Sequence, residues 1–314
     1  MPTVLITGGT GLIGRALSTL LLQKGYDVII VTRGKASEKK ATEKGLSYAA
    51  WDVAAQTIDL PAIKKADYII HLAGAAVADK RWSAKRKREI AESRTQSSAL
   101  LVKALHENSN QVKAVISASA IGWYGADPVI PNPNPFTEAD AADPGFLGET
   151  CRLWEESIAP VALMGKRLVK LRTGIVLSKE GGALKEFIKP LHFGIASILG
   201  NGKQIISWIH IDDLCRMYLQ ALEDEKMEGA YNAVAPKPVS NKELTLQLAK
   251  AIKGSFYIPV HVPSVALKII LGELSIEILK SATVAASKIR SAGFNFIFPS
   301  IEAAVNELTR KQPT

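Results

Sequence analysis

Several residue types are scarce in this sequence, and each scarcity excludes a class of protein. The 314 residues include two cysteines and five histidines, without the spacings of a disulfide framework or a metal site. No apolar run reaches about 18 residues, which excludes a membrane-spanning helix. The chain enters its first apolar segment at Val4, which leaves no room for a signal peptide. We therefore expect a reduced, cytoplasmic protein without a metal.

The segment Val4–Arg33, VLITGGTGLIGRALSTLLLQKGYDVIIVTR, joins two apolar runs through a cluster of glycines. The glycines fit two related spacings, G-x-G-x-x-G and G-x-x-G-x-x-G, through Gly8, Gly9, Gly11 and Gly14. Val4–Ile6 predicts a buried strand, and Arg15–Lys24 predicts an amphipathic helix that ends at Gly25. This order is typical of a loop that binds a pyrophosphate at a helix N-terminus. A glycine-rich structural turn in another α/β protein is the alternative.

The second apolar run, Tyr26–Val31, ends in Thr32 and Arg33. In dinucleotide-binding folds the end of this strand meets the adenosine ribose, where NAD enzymes place an acid. Here Lys35 follows, and the first acid is Glu38. A guanidinium binds a 2′-phosphate that a carboxylate would repel. We therefore expect NADP(H), with a solvated loop arginine as the alternative.

Strands and helices alternate through the first part of the chain. Further strands are predicted at 49–53, 68–72, 112–119 and 167–172, with helices at 96–107 and 149–158. The alternation predicts an α/β fold with a Rossmann-type doubly wound parallel sheet and a smaller C-terminal α+β substrate lobe. We assign 1–177 to an NADP-binding domain to which 205–233 returns, and 178–204 with 234–314 to the lobe. The proline-rich segment Asp127–Pro144 predicts a loop over the cleft.

The net charge is +9, and part of it lies in Asp79–Arg94, DKRWSAKRKREIAESR. Nucleic-acid binding, with Trp82 as a stacking side chain, is one interpretation, and a solvated basic helix is another. We favour a third, in which some of these cations face cofactor phosphates. Because a charge excess alone does not make a nucleic-acid binder, we expect no nucleic-acid or membrane partner, and a monomer or homodimer.

A set of motifs gives the chain a family resemblance. The motifs are TGGTGLIG, HLAG, SASAIGWYG, RTGIVLSKEGGAL, SWIHIDDL and YNAVAPKPVSN. Together they resemble the extended short-chain dehydrogenase/reductase superfamily, in its atypical, NAD-dependent epimerase/dehydratase-like branch of nucleoside-diphosphate-sugar epimerase-like proteins. The segment LGELSIEILKSATVAASKIRSAGFNFIFPSIEAAV is similar to that group's short C-terminal domain. The resemblance covers nearly the whole chain and implies a Rossmann domain that binds NADP(H) beneath a closing lobe.

The resemblance also implies cofactor-binding roles for individual residues. It assigns the pyrophosphate to Gly8, Thr10, Gly11, Leu12, Ile13 and Gly14, the 2′-phosphate to Thr32 and Arg33, and the adenine to Asp52 and Val53. It assigns the ribose and phosphates to Leu72, Ala73 and Gly74, further NADP(H) contacts to Glu89 and Arg94, and the nicotinamide half to Val176. The alternatives are ordinary core packing for the apolar residues and one exposed ion pair between Glu89 and Arg94.

The sequence departs from this family at the proton relay. Members with full chemistry use a serine, a tyrosine and a lysine, and the lysine lowers the pKa of the tyrosine that exchanges a proton with substrate. Alignment places Ala120 in the serine slot, Leu147 in the tyrosine slot and Cys151 in the lysine slot. None of these side chains performs the family role.

Other groups are candidates for proton transfer. We single out Ser119 and Tyr124 as candidate catalytic residues, with Glu149, Cys151 and His210 as further proton-capable groups. For each of them, packing with one hydrogen bond is the alternative.

Two main functional hypotheses remain open at this stage. The first is an NADP-dependent oxidoreductase or epimerase acting on a hydroxyl or carbonyl carbon, with a sugar nucleotide as a candidate substrate. The second is a catalytically degenerate NADP(H)-binding sensor or scaffold. Nothing in the sequence names the small-molecule substrate, since fold does not determine function.

Overall fold

The computed structural model describes residues 1–34 and 43–310. Its strands are β1 (Thr3–Thr7), β2 (Asp27–Arg33), β3 (Leu46–Asp52), β4 (Thr57–Ile58), β5 (Tyr68–His71), β6 (Ala114–Ala120), β7 (Arg167–Thr173), β8 (Ile175–Ser178), β9 (Gly181–Gly182), β10 (Ile195–Leu199), β11 (Ile205–Ile206), β12 (Trp208–His210), β13 (Gly229–Ala233), β14 (Val239–Ser240) and β15 (Ile258–Val262). Its helices are α1 (Leu12–Gln23), α2 (Leu60–Lys65), α3 (Ala84–Glu107), α4 (Phe146–Ile158), α5 (Pro160–Leu163), α6 (Ala183–Leu191), α7 (Ile211–Glu223), α8 (Asn241–Lys253), α9 (Ser264–Leu271), α10 (Leu274–Leu279), α11 (Ser287–Ser291) and α12 (Ile301–Thr309), with a 3-10 turn at Ile121–Trp123.

Eight strands form one large sheet in the order β13–β7–β6–β5–β1–β2–β3–β4. All neighbours in it are parallel except the β3–β4 pair. This sheet confirms the predicted α/β fold with a doubly wound, Rossmann-type sheet. The strand order reverses between β1 and β5, which opens a crevice at the carboxyl ends of these strands.

The alternating side chains of β1 show why the sheet is buried on both faces. Val4 and Ile6 pack with Leu17 and Leu21 of α1 in one core. Leu5 packs in a second core that includes helices α2, α3 and α5 on the opposite face. Successive residues of a strand point to opposite faces, so a continuous apolar run is required here.

The remaining strands form three small sheets. They pair β12 with β8 and β9, β11 with β14, and β10 with β15. We call α6, β10, α8, β15 and α9–α12 the C-terminal lobe. Its core is apolar and includes Leu184, Ala196, Leu244 and Val305.

The segment from Asp127 to Pro144 contains no helix or extended strand, as predicted. Its Asp127 carboxylate accepts hydrogen bonds from Asn132 Nδ2 at 3.0 Å, Ser281 Oγ at 2.7 Å and Thr283 N at 2.9 Å. These bonds hold the loop against the chain between α10 and α11. The loop is therefore anchored to the C-terminal lobe.

Candidate cofactor and active site

The glycines of the first loop have different reasons to be glycine. Gly8 has φ +70°, and a Cβ there would lie 2.8 Å from the carbonyl carbon of Leu72. A Cβ on Gly14 would lie 2.5 Å from the Gly8 oxygen. Internal packing therefore requires both glycines. A Cβ on Gly11 would meet only the Gly8 oxygen, at 3.3 Å, so the space above Gly11 is open.

Helix α1 begins at this open side of the loop. Gly11 is its N-cap and supplies no side-chain cap, and no side chain among the described residues caps the first turn. Uncapped N–H groups at a helix N-terminus, together with the helix dipole, attract anions. The structure adds a cation that sequence reasoning missed, because Arg15 Nη1 donates to Thr10 O at 2.8 Å. The sequence feature that could have indicated this cation is an arginine about one turn after the N-cap, Gly11.

A cleft of about 780 Å³ lies beyond the ends of β2 and β3. It is lined by Arg33, Gly34, Ala50, Trp51, Asp52, Val53, Ala54, Thr57, Ile58, Asp59, Glu89, Glu92, Ser93 and Gln96. We call it the adenosine cleft, because the adenosine half of a dinucleotide occupies this position in the fold. It brings together four residues that were predicted to bind the cofactor. They come from β2, β3 and α3 and the adjoining loops, and are Arg33, Asp52, Val53 and Glu89. Sequence reasoning missed the contributions of Ser93 and Gln96 from α3.

The end of β2 offers two polar groups at this cleft. Arg33 is exposed and forms no ion pair within the described part of the chain. Thr32 is buried, and its Oγ1 has no hydrogen-bond partner among residues 1–34 and 43–310. Lys35 and Glu38, which the prediction of cofactor preference also used, lie outside the described residues.

Asp52 serves the turn that follows β3. Its Oδ1 accepts hydrogen bonds from Ala54 N at 2.9 Å and Ala55 N at 3.0 Å. Val53 packs partly against the second core. The carboxylate is therefore held at the cleft wall by the backbone.

Glu89 and Arg94 do not pair with each other, so the expected alternative of one exposed ion pair is wrong. Glu89 pairs with Arg86 at 2.6 Å, and this hydrogen bond lowers the pKa of Glu89. Arg94 Nη1 instead donates to Ala75 O at 3.1 Å and to Ile90 O at 2.8 Å. The two side chains diverge because they leave α3 on different faces.

The basic residues at the start of α3 also contact other parts of this chain. Arg86 donates to Ala76 O, and Lys87 pairs with Glu273 of the C-terminal lobe at 2.6 Å. These contacts hold the loop after β5 and tie α3 to the lobe. They account for two of the cations that we had expected to face phosphates.

The loop after β5 runs along the crevice beside the glycine loop. Leu72 N donates to Thr7 O at 3.1 Å, and Ala73 N donates to Thr7 Oγ1 at 3.3 Å. A Cβ on Gly74 would lie 3.1 Å from Arg94 Cζ. Val176 lies in β8, beside Ile209 of β12. The backbone at 72–74 therefore forms a smooth wall with Arg94 behind it.

A buried histidine supports this wall from beneath. His71 Nδ1 lies 2.7 Å from Thr7 Oγ1, and His71 Nε2 lies 3.1 Å from Ser98 Oγ. Burial lowers the pKa of His71 to about 3, and the charge of Arg94 adds to the effect. The imidazole is therefore neutral and joins β1, β5 and α3.

Helix α4 presents the two relay slots toward the 3-10 turn after β6. A Cβ on Gly122 would lie 3.2 Å from Leu147 Cβ and 3.6 Å from Cys151 Sγ. Burial raises the pKa of the Cys151 thiol to about 12, although Arg94 opposes the rise. The guanidinium of Arg94 also lies 4.9 Å from the centre of the Trp154 ring. The cation in this corner therefore comes from α3 rather than from α4.

Comparisons with known proteins agree with this geometry. Residues 4–146 match the NAD dependent epimerase/dehydratase family, and residues 262–308 match a domain of unknown function, DUF1731. The Epimerase family protein YfhF of Bacillus subtilis is 32% identical over 314 residues, which cover 99% of each chain. The Epimerase family protein SAOUHSC_00792 of Staphylococcus aureus is 32% identical over 312 residues, with 99% of this chain and 100% of that protein covered.

The chain belongs to the epimerase family. Among solved structures, the human epimerase family protein SDR39U1 with NADPH superposes with a TM-score of 0.83 at 27% identity, covering 98% of this chain and 99% of that one. The nucleoside-diphosphate sugar epimerase of Corynebacterium glutamicum has a TM-score of 0.76 at 33% identity, covering 98% of this chain and 59% of that one. The chain thus has the family's NAD(P)-binding fold.

In this epimerase-family chain, Ser119 and Tyr124 lie in one buried polar network. Ser119 donates to Glu155 at 2.8 Å, and Arg172 Nε donates to the same carboxylate at 2.8 Å. Tyr124 OH donates to Asn232 Oδ1 at 2.6 Å and accepts from Arg172 Nη1 at 3.1 Å. Burial raises the pKa of Tyr124 to about 12. These bonds join β6, β7, α4 and β13, and the catalytic roles of both residues stay predictions.

His210 and Glu149 are engaged elsewhere. His210 Nδ1 accepts from Asp212 N at 3.1 Å, which caps α7. The ring proton therefore lies on Nε2, which is 3.1 Å from Glu307 Oε2. Glu149 pairs with Arg152 on the surface of α4 at 2.6 Å. The first contact caps α7, and the second is an ion pair within α4.

Neither a metal site nor a membrane-spanning helix is found among the described residues. Within residues 1–34 and 43–310, no three His, Cys, Asp or Glu side chains converge as a metal site. In the same ranges, no helix has both the length and the apolarity needed to cross a bilayer.

Proposed function

We propose that this epimerase-family protein is an NADP(H)-dependent oxidoreductase or epimerase that acts on a hydroxyl- or carbonyl-bearing carbon. The observation that carries the cofactor preference is Arg33. It is an exposed guanidinium at the wall of the adenosine cleft, with no ion-pair partner in the described residues. A guanidinium there offers a 2′-phosphate a fork of charge-assisted donors.

The residues present fit a dinucleotide at three points. The open space above Gly11 and the uncapped start of α1 suit a pyrophosphate. The Thr32 hydroxyl, which lacks a partner among the described residues, suits a further polar contact at the 2′-phosphate end. Arg94 adds a cation behind the 72–74 wall, and no described carboxylate pairs with it. The human relative of this fold is described with NADPH, which supports the same choice.

When bound, the nicotinamide supplies or accepts a hydride. The chain's own part is to orient this cofactor by the glycine loop, Arg33 and the 72–74 wall. Helix α4 contributes no proton donor at its two slots, because Leu147 has no ionisable group and Cys151 is buried with a raised pKa. We therefore place proton transfer outside these two slots.

The domain arrangement belongs to the same proposal. We assign residues 1–177 and 205–233 to the cofactor domain, and 178–204 with 234–314 to a substrate lobe. The pairing of β13 with β7 in the large sheet supports the return of the chain to the cofactor domain. A sugar nucleotide is a substrate to test, because the C. glutamicum relative is described as a nucleoside-diphosphate sugar epimerase.

The first test measures the affinities of NADPH and NADH for Arg33→Asp. We expect NADPH to bind at least about tenfold more weakly, because a charge-assisted hydrogen bond contributes roughly 1.5–3 kcal/mol. NADH affinity should change little, because it lacks the 2′-phosphate. Arg33→Lys is the matched control and should retain part of the preference. Equal losses for both cofactors, or tighter NADH binding by the wild type, would contradict the proposal.

The second test concerns turnover. Wild-type protein with NADPH is offered carbonyl compounds and nucleotide-sugars, and cofactor oxidation or epimer formation is followed. Turnover of any of these supports an enzyme. Tight NADPH binding without turnover across the panel would favour the alternative, a non-catalytic NADP(H)-binding module.

A further inference from the structure

The strands β10 and β15 form a two-stranded parallel sheet. One face of β10 is covered, whereas Ile258 to His261 of β15 are all exposed. Ala196 of β10 packs into the lobe core, and Tyr257, just before β15, packs against that core. The register pairs Ile195 with Ile258 and Ser197 with Val260, so these residues share the opposite face. Parallel sheets are usually covered on both faces, so an exposed face on this one is a surface that a partner could cover.

That opposite face is apolar and exposed. Phe193 is 85% exposed, Phe256 87% and Ile258 69%, and Ile195 and Val260 are exposed beside them. We call these five residues the lobe face. Together they expose on the order of 500 Å² of apolar surface, which is toward the upper end for monomeric proteins. Helix α9 follows directly and exposes Val265 and Ile269, which lie four residues apart on one side of the helix.

The lobe face also lacks charge. No Asp, Glu, Lys or Arg occurs from Pro190 to Gly202 or from Ser255 to Leu267, in a chain where these residues make up 22%. Depletion of charge with aromatic and aliphatic enrichment marks the centre of a protein interface. A surface that binds anionic lipid would instead intersperse cations with its apolar residues. The two strands carry none, and Lys253, whose Nζ donates to His192 O at 3.3 Å, lies at the margin of the face.

We propose that the lobe face is a homodimer interface that packs against a second copy of this chain. An uncharged apolar face is complementary to itself, as a two-fold interface requires. The chain carries a net charge of +9, so two copies repel each other least where neither presents a charge. With the α9 residues, the face approaches the roughly 800 Å² per partner of a standard interface.

The copies meet face to face rather than through the free edge of β15. Ile258 N donates to Gly194 O at 2.8 Å, so Pro259 directs its backbone away from β10, toward that edge. Proline has no N–H to offer a neighbouring strand. The edge is thus poorly suited to strand addition, whereas the flat face is available for packing.

The test is the mass of the full-length chain in solution, by light scattering or sedimentation up to about 100 µM. We expect the mass of two chains for the wild type. Phe256→Glu and Ile258→Glu should weaken dimerisation at least about tenfold, because each places a charge in an apolar contact. Leu163→Glu is the matched control, since Leu163 is 90% exposed on α5 and outside the lobe face. It should remain dimeric with the wild-type Tm, whereas Phe256→Glu and Ile258→Glu should stay folded with a Tm lowered by the lost association.

Cross-linking gives an independent result. Both native cysteines are buried, so Ile258→Cys introduces an accessible thiol that a short bis-maleimide should join into covalent dimers. Leu163→Cys should not cross-link. A wild type with the mass of one chain at all concentrations overturns the proposal, even if that monomer floats with anionic vesicles. A dimer that both glutamate variants leave intact, without an Ile258→Cys cross-link, overturns it as well.

Discussion

The glycines of the loop between β1 and α1 are required for different reasons. Gly8 and Gly14 are required by the protein's own backbone, which lies within 2.8 Å of a Cβ at either position. Gly11 has open space beyond its 3.3 Å contact. Under the proposed function, the need for glycine at position 11 therefore comes from the cofactor.

Gly11→Val should fold and lose NADP(H) binding, because the side chain would occupy the space that the pyrophosphate needs. Gly8→Val should instead lose the fold, since its positive φ and its contact with Leu72 both exclude a side chain. Thermal unfolding and cofactor titration distinguish the two losses. Unchanged cofactor affinity in a folded Gly11→Val variant would show that this loop is not a dinucleotide site.

His71 makes stability depend on pH at the level of one side chain. Its pKa in the folded protein is about 3, against the ordinary histidine value of 6.5, so below pH 6.5 the unfolded chain binds the proton that the native chain excludes. The contribution is fully present above pH 6.5 and is lost as the pH falls through the window toward 3. Between pH 7 and pH 5 we expect a loss of about 2 kcal/mol.

Urea unfolding of the wild type and of His71→Gln at the two pH values measures this contribution. The glutamine variant should lose that part of the pH dependence, because it does not titrate. Exposed His106 supplies the control, and His106→Gln should keep the wild-type slope. An unchanged slope in His71→Gln would show that another group is responsible.

At the scale of elements, the corner between α3 and α4 has exchanged the origin of its cation. The family resemblance predicts a lysine at position 151, where this chain has cysteine, and in the structure Arg94 reaches the corner from α3. Arg94 is held by Ala75 O and Ile90 O. Arg94 therefore supplies a positive charge between the two helices.

Restoring only the lysine should therefore fail. Cys151→Lys places a second cation beside Arg94 in a buried corner, and we expect it to cost roughly 3 kcal/mol of unfolding free energy. Adding Arg94→Asn should recover much of that loss, and Cys151→Ala should cost less than Cys151→Lys. Chemical denaturation of the wild type, Cys151→Lys, Arg94→Asn and the double variant forms a double-mutant cycle. Additive effects of the two changes would contradict a shared charge site.

At the scale of the whole molecule, one buried carboxylate fastens the C-terminal segment to α7. Asp213 Oδ1 accepts from Ile297 N and Oδ2 accepts from Phe298 N, both at 2.9 Å, while Arg216 pairs with Oδ1. Asp213 is fully buried, but its neighbour Asp212 is exposed. The motif SWIHIDDL thus contains one anchoring acid and one surface acid.

Asp213→Ala should cost about 3 kcal/mol, because two backbone N–H groups and Arg216 lose a buried acceptor. Asp212→Ala is the matched control in the same motif and should cost under about 1 kcal/mol. Chemical denaturation measures both, and proteolysis near residue 297 should increase only in the Asp213 variant. Similar costs for the two variants would refute the anchoring role.

The sequence by itself determined the features that depend on contiguous residues. The glycine loop between β1 and α1, the buried strands and the doubly wound sheet were all predictable, because local backbone geometry and side-chain periodicity encode them. The placement of Arg33 at the end of β2 followed from the same local order. The family was also predictable, since its motifs are short and contiguous.

Only the tertiary structure decided which side chains meet across long separations. It placed Arg94 beside Cys151, turned Glu89 toward Arg86 and enclosed Tyr124 with Arg172 and Asn232. It also left the lobe face uncovered while burying Ala196 and Ile198 on the other face of β10. These outcomes depend on packing and on the desolvation of charge, which no local pattern records.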